Sequence, residues 1–314
     1  MAAMFNILFI LCFKVAINFL LDVNMHRLCA GIQRGVRAYS HLITSHAKRN
    51  YSSPKYYKVM TEDEKHYNFQ YKDGLNVLRG RFNNNPNASC GPGGLYFTNT
   101  NNILKYLSYG THVREITLPW GNPKFRYVAD SDKCRANMLI LGKKHDLSKV
   151  ETIRMLTKQG TFIYETDDHV MKFYAERGNL EIIKFLVRKG ADIHANDDYA
   201  LRCSAANGYL EVVKYLVKKG AKVDAEFNYA LRWAARNGHL DIVKYLIKKG
   251  ADIHANDDYA LVMSARNGHL KTVKYLIKKG ANVLAENGYA LKVSEIFGHT
   301  EIHQLLKRHS IRTK

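Results

Sequence analysis

Apolar and polar positions recur in one arrangement every thirty residues through the second half of the chain. Gly160, Gly190, Gly220, Gly250 and Gly280 mark the period, with no insertion between them. Within each unit the apolar residues fall twice at helical spacing. Leu240, Ile242, Val243, Leu246 and Ile247 form one stripe, because residues three and four apart share a helix face. Ahead of it, Tyr199-Ala200-Leu201 and Tyr229-Ala230-Leu231 open a shorter helical pattern that runs into the small pairs Ser204-Ala205 and Ala234-Ala235. Asp168, Asp198, Asn228 and Asp258 stand just before these helices, which predicts N-caps accepting from a first-turn N–H. Asn207-Gly208, Asn237-Gly238 and Asn267-Gly268 end the first helix, since both residues tolerate the left-handed backbone. Lys-Lys-Gly ends the second, with basic groups at the negative helix terminus and Gly beyond it. The units 161–190, 191–220, 221–250, 251–280 and 281–310 thus predict a helical solenoid, followed by a short tail at 311–314. One such unit cannot bury its apolar stripe alone, so neighbours must cover it.

Upstream, the pattern does not repeat. "GGLYFT" (93–98), "HVREITLP" (112–119) and "KFRYVAD" (124–130) read as strands, and "NNILKYLSYG" (101–110) as a short helix ended by Gly. "ANMLILGKKHDL" (136–147) reads as a strand or buried segment leading to a helix, and "VETIRMLTKQG" (150–160) already has the form of a unit's second helix. The expectation is a small α+β domain over 55–150, then the solenoid over 151–310 with a capping half-repeat at 150–160.

"NGHLDIVKYLIKKGADIHA" (237–255) resembles the ankyrin repeat, with its Gly-His, paired aliphatic and Gly-Ala-Asp positions. The ankyrin unit usually has about 33 residues. Here the deficit lies between Ala195 and Tyr199, and Tyr-Ala-Leu-Arg stands where the family has Thr-Pro-Leu-His. This short, Lys-rich variety is similar to ankyrin proteins of amoeba-infecting giant DNA viruses. The stretch running from "FQYKDGLNV" to "CGPGGLYFT" is similar to a domain that precedes such repeats in those proteins. The resemblance implies a scaffold that binds a protein partner, a host protein if the viral likeness holds.

Positions that vary from unit to unit are the candidates for partner contact. Phe227, Trp233, Arg236 and Arg266 stand out, because aromatics and Arg supply much of the energy at interfaces. His194, His254 and Glu226 vary near the finger that joins the units. Trp233 also has a plainer reading as inter-repeat core, since Cys203, Met263 and Val293 occupy its place elsewhere. His194 and His254, with Asp197 and Asp257 nearby, do not read as a metal site. Ligands one repeat apart diverge, whereas zinc needs converging groups. No metal or other cofactor is expected.

The net charge of +20 adds a second binding class. Lys184, Lys214, Lys244 and Lys274 recur on the second helices, with Arg188, Lys218, Lys248 and Lys278 four residues on. They read as a solvated outer face, or alternatively as a ridge for nucleic acid or another polyanion. No helix-turn-helix, zinc finger or RNA-binding signature accompanies the charge. Five cysteines without CxxC spacing suggest a reducing compartment. The apolar run at 4–21 carries Lys14 near its middle, which makes membrane insertion marginal. Residues 1–54 therefore read as a disordered extension, a membrane-associated segment or a targeting peptide. Catalysis would have to draw on His66, Tyr96, Thr98, His112 and Glu115, and no nucleophile–base spacing, metal motif or phosphate loop supports it. The sequence thus points to a monomeric, non-enzymatic scaffold in the cytoplasm.

Overall fold

The computed structural model describes residues 55–85, 93–129, 132–158 and 167–312. The readings of residues 1–54 lie outside the described residues. Residues from Lys55 onward form one compact unit.

Nine strands come first: β1 (Tyr56–Met60), β2 (Lys65–His66), β3 (Phe69–Gln70), β4 (Gly74–Val77), β5 (Leu95–Asn99), β6 (His112–Thr117), β7 (Tyr127–Ala129), β8 (Cys134–Ala136) and β9 (Met138–Asp146). Seven make an antiparallel sheet in the order β4-β9-β6-β1-β5-β8-β7, and β2 with β3 forms a small hairpin. Alternation along β1 and β6 sorts their side chains onto two faces. Tyr57, Val59 and Val113 face one core, while Met60 and Ile116 face another with Phe97 and Leu139. The expected helix at 101–110 is the 3₁₀-helix Ile103–Tyr109, with Ile103, Leu104 and Leu107 buried. The region is rich in strands, and this 3₁₀-helix packs on β1.

Helix α1 (Val150–Lys158) follows β9 directly, and α2 (Asp167–Ala175) with α3 (Leu180–Arg188) makes the first repeat. The next four are α4 (Ala195–Ala206) with α5 (Leu210–Lys218), α6 (Ala225–Arg236) with α7 (Leu240–Lys248), α8 (Ala255–Arg266) with α9 (Leu270–Lys278), and α10 (Ala285–Ile296) with α11 (Thr300–Arg312). One apolar core runs from Tyr57, Leu104 and Leu107 through Leu156 and Tyr174 to Leu306. The Tyr174 hydroxyl donates to the Leu147 carbonyl at 3.0 Å, which ties the end of the sheet to the first repeat. Leu216, Leu246 and Leu276 are fully buried between second helices. Burying a leucine side chain stabilises by about 1.5–3 kcal/mol.

The predicted N-caps need correction. Asp198, Asn228 and Asp258 have φ of 56°, 60° and 58°, and each ends three consecutive left-handed residues. Their side chains reach forward to the next repeat. Asp198 accepts from the Lys222 N–H, Asn228 from Asp252 and Asp258 from Asn282, at 2.8–3.1 Å. This turn carries the chain from finger to helix within a unit three residues shorter than usual. A left-handed residue costs roughly 1–2 kcal/mol, least for Asn and Asp. The buried side-chain bonds to the next finger offset part of that. Arginine offsets more: Arg202 donates to the Asp197 and Asn196 carbonyls at 2.8 and 2.6 Å, and Arg232 to the Glu226 carbonyl at 2.9 Å.

Candidate functional site

The first helices of successive repeats lie side by side, and over the first three repeats residues from Glu176 to Asn237 line a groove of about 620 Å³. A histidine fixes the offset at three of the four repeat boundaries. The Nε2 atoms of His239, His269 and His299 donate to the carbonyls of Ala206, Arg236 and Arg266 at 2.8–3.1 Å, across one repeat boundary.

Tyrosines and cations alternate along the floor. The Lys172 Nζ lies 4.7 Å from the Tyr199 ring centre. The Arg202 guanidinium lies 5.4 Å from Tyr199 and 5.1 Å from Tyr229 of the next repeat. Arg232 repeats this with Tyr229 and Tyr259, at 5.8 and 5.4 Å. Trp233 packs against Tyr229 with ring centres 5.2 Å apart, and Arg236 stacks on Trp233 at 4.0 Å. Cation–aromatic contacts of this kind are worth about 0.5–2 kcal/mol, and they restrict where a guanidinium points.

Burial pushes the Cys203 thiol up to about 12. Burial and the Glu176 carboxylate, which accepts from the Tyr199 hydroxyl at 3.0 Å, push Tyr199 up to about 12. Both groups stay protonated at neutral pH, so neither is an activated nucleophile.

Four of the residues singled out in the sequence lie along the first-helix face, although not all together. Trp233 lines the groove, half-buried rather than sealed between repeats, and Arg236 stacks on it. Arg266 lies a repeat further on, 4.9 Å from the Phe297 ring. Phe227 is 73% exposed on the left-handed turn, beside exposed Glu226. His194 and His254 belong elsewhere. Their Nδ1 atoms donate to Asp198 and Asp258 of their own repeats at 3.0 and 3.1 Å. Among the described residues no group of three or more His, Cys, Asp or Glu side chains could hold a metal ion.

The Tyr–Arg alternation was missed in the sequence. Its signal was there: Tyr199-Ala200-Leu201-Arg202 repeats at 229–232, so the period itself brings Arg202 beside Tyr229.

On the outer side, Lys184, Lys214 and Lys244 pair with Glu181, Glu211 and Asp241 one turn earlier, at 2.8, 2.7 and 3.5 Å. Lys274 pairs with Glu301 at 3.2 Å. Of the residues a catalytic site would have used, His66, Tyr96 and Thr98 line one small cavity. His112 and Glu115 lie on opposite faces of β6, bonded to Glu64 and His145 respectively.

A family model described as ankyrin repeats (three copies) matches residues 171–257 and 231–314. The chain is an ankyrin-repeat protein. The chain is similar to proteins of Acanthamoeba polyphaga mimivirus. Two are named as ankyrin repeat proteins: one is 47% identical over 37% of this chain and 59% of its own length, the other 46% identical over 40% and 38%. An uncharacterized protein of the same virus is 42% identical over 40% of this chain and 91% of its own length. The chain therefore spans less than two thirds of the first two relatives. Ankyrin repeats are generally protein-interaction modules. Among the described residues no helix is long and apolar enough to cross a membrane.

Proposed function

We propose that this ankyrin protein is a non-enzymatic scaffold that docks a protein partner on its first-helix groove. The observation that carries the reading is the Trp233–Arg236 stack, whose indole lines the groove within a row of packed repeats. Aromatic and Arg side chains on an ordered surface are what interface energy concentrates on. The outer Lys184, Lys214, Lys244 and Lys274 are each neutralised by a carboxylate, which weighs against that row as a polyanion ridge. Cys134 and Cys203 are buried thiols, in keeping with a cytoplasmic setting. The relatives belong to a virus, and the partner we propose is a protein of the cell it infects. The sheet region is the solenoid's N-terminal cap in this reading, and the protein works as a monomer.

Photo-crosslinking tests this. A benzophenone side chain placed at Phe227, at the exposed rim, should yield a discrete adduct in an amoebal lysate, and one at Lys218 should not. Adducts from Lys218 alone would move the docking face to the outer helices and end the groove reading.

A further inference from the structure

We propose that the groove's partner is a short, extended acidic segment, with carboxylates over the second to fourth repeats and apolar side chains over the fifth. The proposal rests on the groove being the docking face and names the chemistry that fits it. The charges carry the argument. Arg202, Arg232, Arg236 and Arg266 all lie along the first helices, and none is within 4.0 Å of a carboxylate among the described residues. On the outer helices Lys184, Lys214, Lys244 and Lys274 are paired, whereas Lys218, Lys248 and Lys278 also lack a carboxylate within 4.0 Å among the described residues, so what sets the first-helix cations apart is their ordering. Two of these guanidiniums are pre-ordered. Arg202 is held by two backbone carbonyls and two tyrosine rings, and Arg236 by the Trp233 face. A planar fork fixed in this way loses little freedom when a carboxylate arrives, and it matches that group in shape.

The character of the face changes at its far end. Ile296 and Phe297 replace the Arg266 and Asn267 of the preceding repeat, and they are 75% and 49% exposed. Tyr289, exposed on the same helix, extends the patch. A segment that crosses from the guanidiniums to this patch needs acid at one end and apolar residues at the other. Helices pack about 10 Å apart, so three repeat steps span roughly 30 Å. An extended chain covers that distance with about nine residues.

The rim argues for peptide over nucleic acid. Asp197, Glu226 and Asp257 are exposed on the left-handed turns that border the groove. A nucleic-acid strand carries phosphate at every step and would meet these carboxylates. A peptide can place its acids on the floor side alone.

The test uses the full chain with Trp120→Phe, which leaves Trp233 as the reporter, because the protein has two tryptophans. The probes are synthetic peptides of about nine residues: glutamates then leucines, the reverse order, lysines in place of the glutamates, and leucines with neutral spacers. Oligothymidylate of matching length is the fifth probe. One of the two glutamate–leucine peptides should change Trp233 fluorescence saturably. Arg236→Glu with Arg266→Glu should weaken that binding by about 10-fold or more. Lys218→Glu with Lys248→Glu, on the outer side, should alter it by less than about 2-fold. Both pairs are surface changes, and circular dichroism with thermal melts verifies that they fold. If the lysine or neutral peptides bind as well as the glutamate ones, the acidic chemistry is wrong and groove docking stands. If oligothymidylate alone binds and the outer pair abolishes it, both the acidic segment and the groove reading fall. No response to any probe overturns the acidic segment, and the Phe227 crosslink then decides the groove by itself.

Discussion

The sheet region and the solenoid bury polar groups in different ways. In the repeats, Asp198, Asn228 and Asp258 are buried at equivalent positions, and each satisfies a backbone N–H twenty-four residues ahead. The solution is invented once and copied. In the sheet region, Lys58, His112 and Arg114 are buried at unrelated positions, with partners that do not recur. The Lys58 ammonium donates to the Tyr96 carbonyl at 2.8 Å. Glu64 accepts from His112 at 3.0 Å and from Arg114 at 3.2 Å, and Asp73 holds the other side of the Arg114 guanidinium. These partners lie 41–50 residues from Arg114 and His112. The solenoid is therefore a sum of short-range terms, while the sheet depends on contacts with no local sequence signature.

The strongest way to break the contrast is to empty a repeat core. Leu246 is fully buried between α7 and its neighbours. Leu246→Ala should cost about 2–5 kcal/mol, read by urea unfolding. Because each repeat depends on the next, hydrogen exchange should rise in α5 and α9 as well as α7. A loss below half a kilocalorie, or exchange confined to α7, would contradict the nearest-neighbour picture.

The next effect is at a repeat boundary. Gly238 has φ of 76°, and an added Cβ would lie 2.6 Å from His269 Nδ1. The ring cannot retreat without breaking its bond to the Arg236 carbonyl at 2.8 Å. Gly238→Ala should therefore cost about 1–3 kcal/mol, as an overpacked contact does. Gly250 also has positive φ, at 93°, but nothing lies within 4 Å of its added Cβ. Gly250→Ala should cost less, and the difference between the two melts isolates the histidine contact.

These two cases show what was legible in the sequence. The period, both helices of each repeat and the buried leucines could be read directly, because a helical stripe is a local pattern. So could the strands at 93–98 and 112–119, but not their pairing, since β1 lies between β5 and β6 in the sheet. The left-handed turns resemble N-caps in the sequence. Asp198 looks like a cap from its neighbours in the chain, and only the Lys222 N–H from the next unit shows its role. Within the candidate groove, Trp233 and Arg236 were picked out by their size and variation. The Tyr–Arg stacking was not, because it needs the repeats already set side by side.

A smaller effect follows from that turn. Asp258→Ala leaves the Asn282 N–H and the His254 ring without their acceptor, which should cost about 1–3 kcal/mol. Asp258→Asn should be close to neutral, because Asn228 performs the same task one repeat earlier. Equal losses in both variants would mean that the carboxylate charge matters, through His254, more than the bond to the backbone.

The smallest effect sharpens the comparison by acid. Burial, then the Lys58 charge, depresses His66 to about 4, and burial also holds His112 below its ordinary value despite the Glu64 carboxylate. In the unfolded chain both imidazoles titrate near 6.5. The folded state therefore resists a proton that the unfolded state accepts. Their contribution is complete above 6.5 and is lost as pH falls, for His66 down to about 4. Asp146, lowered first by its hydrogen bond with Ser148, keeps its contribution until pH falls through its ordinary 3.8 and below. Histidine loss and carboxylate loss thus occupy different windows. Thermal melts read through Trp120, on a Trp233→Phe background, should decline between pH 6.5 and about 4. His66→Gln should flatten that decline while leaving the carboxylate window below it unchanged. A decline that His66→Gln does not touch would place the acid sensitivity outside this buried imidazole.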